Sequence, residues 1–315
     1  LFFDACFYLK RLWRRNTPAA ENSPGADAPW FAIMVPAWDE SDVLFNAVAN
    51  MVKTLDYPDY HIFIGTYPND PATGEVAEQL AQRYPNVHKV LTTSDGPTCK
   101  ADCLNHIVER LWVFEQRHNI EFAAAILQDA EDVLHPKLLQ HFSRFVPGHD
   151  IVQVPVYSLP RPWHALTAGH YMDEFAESHS KDLFTRAELT GVVPGAGVGT
   201  AYSRKALKAA AKTGITFNTD SLTEDYEFSL RLRNEGLKQI FTRALTTDAH
   251  EHKGPARFIA TREYFPSKFK AAIRQKTRWT LGIAFQGWEH FGWRDNATMH
   301  YLFWRDRKVI PLAFA

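Results

Sequence analysis

The chain has 315 residues, 45% of them hydrophobic and 23% charged, which is ordinary usage for a globular protein and enough length to bury a large core. Its formal net charge of -1 excludes a global electrostatic pull on nucleic acid or acidic substrates, so any charge argument must be local. The cysteines Cys6, Cys99 and Cys103 form no CxxC pair and no disulfide framework; they read as small buried hydrophobes of a reducing compartment.

The first stretch, LFFDACFYLKRLWRR, is aromatic and apolar and closes on Lys10, Arg11, Arg14 and Arg15. This pattern predicts the end of a spanning or interfacial helix with its basic residues on the cytosolic side. The last stretch repeats the pattern with Trp288, Trp293, Tyr301, Phe303 and Trp304, and stops at Ala315 inside an apolar run. Both ends read as cut from a longer membrane-attached chain. Between them, no run reaches the roughly eighteen apolar residues of a spanning helix.

After a loop at 16–29, strand-like and helix-like segments alternate. Phe31 to Val35 predicts a buried strand that ends at Pro36, and residues 40–55 follow with helical spacing. His61 to Ile64 predicts a second strand, with a helix over 72–84. Val87 to Leu91 predicts a third, with a helix over 99–117. Ala123 to Leu127 predicts a fourth, and Asp129-Ala130-Glu131-Asp132 follows it directly. This order predicts a parallel sheet with helices on both faces. Ligands of such sheets sit beyond the carboxyl ends of the strands, here at residues 36–40, 65–66 and 129–132. The second half predicts a strand near 151–156, a helix near 165–188, a Gly-rich turn at 191–199, a helix from Thr223, and a basic, aromatic helical segment from 266 to 291.

Four constellations carry chemistry. Asp129, Glu131 and Asp132 repel one another unless a cation or water relieves them, and a hard divalent ion shared with substrate phosphates would do so; a solvated turn capping the helix near Pro136 is the plainer alternative. Thr223-Glu224-Asp225 is an ordinary acidic helix start, or a carboxylate placed to take a proton from an acceptor hydroxyl. Gln275, Arg278 and Trp279 share a helix face and offer a phosphate reader beside an aromatic platform, or else a basic surface near a membrane. Lys100 in the first turn of its helix suits phosphate, and is otherwise a surface lysine.

In order, Pro36 to Glu40, Lys100 with Leu104-Asn105, Asp129-Ala130-Glu131, Gly195-Ala196-Gly197, Thr223-Glu224-Asp225 and Gln275-x-x-Arg278-Trp279 resemble the membrane-embedded family-2 glycosyltransferases, which include cellulose and hyaluronan synthases. The resemblance runs from about residue 30 to about residue 290. It implies a GT-A (Rossmann-like) α/β fold, with a mixed, mostly parallel sheet, helices on both faces and C-terminal interfacial helices. It divides the chain into a membrane-proximal segment at 1–29, a catalytic domain at 30–260 and interfacial helices at 261–315.

The resemblance also implies roles. Asp225 is the catalytic base, and Asp129 and Glu131 are the ligands of Mg2+ or Mn2+. Pro36, Ala37, Glu40, Lys100, Asp129 and Arg278 hold the nucleotide-sugar donor. Gly195, Gly197, Glu224, Gln275 and Trp279 hold the glycan acceptor. UDP is the implied nucleotide, although Ile64 to Asp70 lacks the family's aspartate at the end of the second strand, or displaces it to Asp70. The implied setting is the bacterial inner membrane with the domain facing the cytosol, an outer-membrane export partner and no nucleic acid. Two rival expectations are transfer of a single sugar to a polyprenyl phosphate, and a non-catalytic scaffold of an envelope or phage-receptor complex. Gln-x-x-Arg-Trp favours polymer synthesis, because the family's single-transfer members generally lack it.

Overall fold

The computed structural model describes residues 28–308 except 213, 247–257 and 294. The basic aromatic segment 1–15, Cys6 and the apolar run 309–315 lie outside the described residues.

Strand β1 (Trp30–Pro36) is followed by helix α1 (Leu44–Thr54), β2 (Tyr60–Thr66), α2 (Pro71–Arg83), β3 (Val87–Leu91), α3 (Lys100–His118) and β4 (Phe122–Leu127). These agree with the expected elements to within a few residues. The short strand β5 (Val133–Leu134), α4 (Leu138–Phe145), β6 (Ile151–Gln153) and β7 (Val156–Ser158) come next. Then follow α5 (Leu166–Glu177), a π-helical turn (Ser178–Asp182), α6 (Leu183–Thr190), β8 (Thr200–Ser203), α7 (Arg204–Ala211), α8 (Glu224–Asn234), β9 (Gln239–Phe241) and β10 (Thr261–Glu263). The chain continues through α9 (Phe269–Trp279), a second π-helical segment (Thr280–Gln286), α10 (Gly287–Phe291) and α11 (Ala297–Arg307).

Seven strands form one sheet in the order β3-β2-β1-β4-β8-β6-β9. β1 runs parallel to β2 and β4, while β8 is antiparallel to both β4 and β6. Alternation along β1 builds the two layers. Phe31, Ile33 and Val35 face the core shared with α1, α2 and α4; Ala32 and Met34 face the core shared with α3, α7 and α8. A strand buried on both faces needs a continuous apolar run, as Trp30–Pro36 supplies. α2 is started by Asp70, whose side chain accepts from Thr73 N–H, with Pro71 in the first turn.

Three expectations need correction. The strand expected over 151–156 is two strands, because Pro155 donates no ladder hydrogen bond; β7 leaves the main sheet and joins β5 and β10 in a small one. The helix expected over 165–188 is α5 and α6 joined by a π-helical turn. Thr223 stands at the N-cap of α8, but its side chain makes no cap hydrogen bond; its hydroxyl instead faces Gly282, where an added Cβ would meet Oγ1 at 2.5 Å. No helix among the described residues is long and apolar enough to cross a membrane.

Candidate active site

The carboxyl ends of β1 and β4, the loop before β8, the start of α8 and the end of β10 converge on one crevice. At the end of β4, Asp132 is fully buried and accepts from the Asp129 N–H at 2.7 Å. This holds the turn, so Asp132 is a prop and Asp129 faces the crevice. The Lys100 ammonium, in the first turn of α3, donates to Asp129 Oδ1 at 2.5 Å and to the Gly197 carbonyl at 3.2 Å. Burial opposes its charge, but Asp129, Glu224 and Asp225 outweigh that and hold it above the ordinary lysine range.

Around this pair the carboxyl groups crowd one another. Burial and then Glu131 and Asp129 push Glu40 up to about 7. Partial desolvation and Asp129 raise Glu131, with Arg161 opposing. Burial, Asp129 and Glu263 raise Asp132 well above the carboxylate range. Burial and Asp129 push Glu263, from β10, up to about 8, while Lys100 opposes. Among the described residues no three His, Cys, Asp or Glu side chains converge closely enough to hold a metal by themselves. The donor set still fits a hard cation. Its carboxyl groups outnumber Lys100 and Arg161, the cations that oppose them, Asp132 Oδ1 is buried without a partner, and such ions take one or two carboxylates and complete their shell with phosphate and water.

Across Gly197 lies Asp225, the second residue of α8. Its Oδ1 accepts from the Tyr226 N–H at 2.8 Å. A Cβ on Gly197 would stand 3.1 Å from Asp225 Oδ2 and 3.9 Å from Lys100 Nζ, and one on Gly195 would stand 2.5 Å from the Asp225 carbonyl oxygen. Glycine is required for this approach, and doubly so at Gly197, whose φ is +76°. Burial and then Glu224 push the Asp225 carboxyl up to about 7, while the Tyr226 N–H, Lys100 and Arg278 oppose. Glu224 itself is buried.

Trp279 ends α9 and packs against Tyr171 and Phe175, with ring centroids 6.1 and 5.9 Å apart. With Gly195, Ala196 and Asp225 it lines a cavity of about 490 Å³, within the size range of ligand sites. Arg278 is exposed and donates to the Leu222 carbonyl at 3.3 Å. Gln275 Oε1 is buried without a partner. Pro36 and Ala37 continue β1 at the crevice, where the Ala37 N–H donates to Gly65 O at 2.9 Å.

Residues 28–282 match the family described as "Glycosyltransferase like family 2". The chain belongs to that family. It is similar to the bacteriophage adsorption protein B of Escherichia coli (strain K12) and to the bacteriophage N4 adsorption protein B of Escherichia coli O157:H7, 46% identical to each over 326 aligned positions. Those positions cover 98% of this chain but 44% of each relative, so the chain spans less than half the length of the curated proteins it matches. Among solved structures it resembles a mannosyltransferase from Pyrobaculum calidifontis in complex with GDP-Man and Mn2+, with a TM-score of 0.63 and 15% identity, covering 98% of this chain and 80% of that one. The shared fold is GT-A-like.

Within this family-2 fold, Gln153 and Glu263 shape the site although no motif names them. Asp70, the acid to which the family's aspartate would be displaced, accepts from Asp39 N–H at 2.7 Å and from Thr73 N–H at 3.2 Å, so each of its carboxylate oxygens already holds one bond within the chain. Gln153 is buried in β6, and its Oε1 accepts from Thr200 Oγ1 at 2.6 Å and Ala196 N–H at 3.3 Å while its Nε2 donates to Val198 O at 2.8 Å. It thereby holds the 195–199 loop in shape. A lone glutamine in the apolar run IVQVPV was the available signal. Glu263 carried none.

Proposed function

We propose that this family-2 domain transfers a hexosyl unit from a nucleotide-sugar to a hydroxyl of a growing surface or secreted glycan, inverting the anomeric centre. The observation that carries this reading is that Asp225 and the Lys100–Asp129 pair meet at Gly197, where an added Cβ would stand 3.1 Å from Asp225 Oδ2 and 3.9 Å from Lys100 Nζ. A donor diphosphate on the Lys100–Asp129 side and an acceptor hydroxyl on the Asp225 side would approach one anomeric carbon from opposite faces.

Asp225 takes the acceptor proton, the freed oxygen forms the new bond to the anomeric carbon, and the bond to the diphosphate oxygen breaks. Lys100 and Arg278 meet the charge that the leaving diphosphate acquires. Asp129 and Glu131 would hold Mg2+ or Mn2+, which supplies further neutralisation of that diphosphate. Trp279 supports the acceptor ring from the wall of the cavity, with Gln275 one helical turn before it and Glu224 next to the base.

A polyprenyl phosphate acceptor presents an oxygen that is already anionic and needs no base, so a carboxyl raised to about 7 favours a hydroxyl acceptor. UDP is the proposed nucleotide; the neighbour solved with GDP-Man makes GDP the comparison.

The proposed setting is the inner face of a bacterial inner membrane, with an export partner in the outer membrane. Trp163, Leu166 and Phe269 are exposed by 91%, 78% and 70%, beside the exposed Lys268, Lys270 and Arg274. An apolar face ringed by cations suits an anionic lipid surface. The deciding experiment is nucleotide release by the full-length protein in membranes against UDP- and GDP-hexoses, with Asp225→Asn alongside. Release that is absent throughout, or equal in the variant, overturns the reading.

A further inference from the structure

We propose that Asp306, near the end of α11, is a positioning residue for the Asp225 carboxylate and acts through Tyr226. The proposal rests on Asp225 being the acceptor base.

Tyr226 is gripped at both ends. Its N–H donates to Asp225 Oδ1 at 2.8 Å, and its hydroxyl donates to Asp306 Oδ2 at 2.8 Å. Between these anchors the ring is buried, and it lies so close to Gly287 that an added Cβ there would stand 3.1 Å from it. The residue that orients the carboxylate therefore has little freedom to shift unless Asp306 shifts.

Asp306 is itself held. Its Oδ1 accepts from Arg186 NH1 at 2.6 Å, Arg186 Nε lies 2.9 Å from Asp182 Oδ2, and Arg305 NH2 donates to Asp182 Oδ1 at 2.5 Å. Charges partnered away from water hold fixed geometry, because breaking one pair leaves an uncompensated charge. The chain of contacts ties α11, α6 and its preceding π-turn to the first turn of α8. Asp182, Arg186, Arg305 and Asp306 line the same cavity as Asp225 and Trp279, yet none of them is needed to take a proton or hold a diphosphate.

The consequence is that the docking of α11, some eighty residues beyond the base, sets where the base points. A misplacement of about 1 Å costs on the order of a hundredfold in rate. The Asp225 carboxyl faces Lys100 and Arg278 as cations, Glu224 as a like charge and the Tyr202 hydroxyl. A shift of the Tyr226 N–H away from Asp225 Oδ1 weakens one of the contacts that favour the ionised form of the carboxyl.

The test uses the full-length protein in membranes, with the nucleotide-hexose that the wild type turns over fastest. Tyr226→Phe deletes one hydroxyl and leaves the Asp306–Arg186 pair intact, so folding should persist. Its kcat should fall about tenfold to a hundredfold, its donor KM should stay near wild type, and the acid limb of its pH profile should move to higher pH. Asp306→Asn should behave alike, and the double variant should be no worse than the worse single one. Wild-type kcat and acid limb in Tyr226→Phe, or additive losses in the double variant, would overturn the proposal. An inactive Asp225→Asn beside a normal Tyr226→Phe sinks only the positioning role; an active Asp225→Asn sinks the base assignment itself.

Discussion

The Lys100 ammonium bonds to Asp129 Oδ1 at 2.5 Å, so a cation of the chain stands against the carboxylate proposed to hold a metal. In the proposed reaction the pair would limit the repulsion between this acidic site and a donor diphosphate until the metal arrives with it. Nucleotide diphosphate and divalent ion should then bind together and weakly apart. In calorimetry, UDP should bind more tightly with Mn2+ present, and Asp129→Asn should lose that coupling. Asp132→Asn should lose less, because Asp132 props the turn from below. Equal affinity with and without Mn2+ in the wild type would remove the metal role.

Asp225→Asn keeps the size and shape of the side chain at the start of α8. Its folding free energy should change by no more than about 1 kcal/mol, checked by urea titration. Nucleotide release should fall about a hundredfold to ten-thousandfold, while binding of UDP with Mn2+ survives. Release at the wild-type rate would mean that another group takes the proton.

The proposed base also predicts a pH dependence. Its carboxyl is raised to about 7 by burial and by Glu224, and only the ionised form accepts a proton. Turnover at saturating donor should therefore rise with pH and reach half its plateau near 7, well above the pH of about 4 expected of an ordinary aspartate. Saturating donor keeps the crowded carboxyl groups beside Asp129 out of the profile. A plateau extending down to pH 5 would contradict the raised acid.

On α9, the two halves of Gln275-x-x-Arg278-Trp279 should separate kinetically. Arg278→Ala removes a charge-assisted contact and should raise donor KM about tenfold to a hundredfold. Trp279→Ala opens the wall of the cavity proposed for the acceptor and should raise acceptor KM while donor binding stays. Turnover unchanged in both variants would leave this helix only a surface.

Gln153→Leu tests the scaffold with no reference to chemistry. The substitution strands the Ala196 N–H and takes from the Thr200 hydroxyl its 2.6 Å acceptor, leaving it the Val198 carbonyl at 3.4 Å. It should destabilise the domain by about 2–4 kcal/mol, read as a lower urea midpoint. An unchanged midpoint would show that the 195–199 loop holds its shape unaided.

Where a residue's role depends on its immediate neighbours, the sequence shows it. The apolar run that ends at Pro36, the acids directly after β4 and the acidic start of α8 all signal their places within a few positions. Asp129, Asp225, Lys100 and Trp279 were named on such signals, and the fold brings them around one crevice. Asp132, read together with Asp129 and Glu131 as one acidic cluster, proves to be buried beneath the turn; spacing along the chain cannot tell a carboxylate that faces out from one that faces in.

The strand runs, their alternation with helices and the acids at the strand ends were determined by the sequence itself, because hydrophobic periodicity and turn chemistry act over a few residues. Tertiary structure alone decided that β8 runs against its neighbours, that Glu263 joins the carboxylates around Asp129, that Asp70 is engaged by the Asp39 and Thr73 amides, and that Asp306 reaches Tyr226. The physical reason is common to all four. Desolvation, charge crowding and hydrogen-bond partnership depend on distance through space, and here they join groups that the chain separates by tens of residues to more than a hundred.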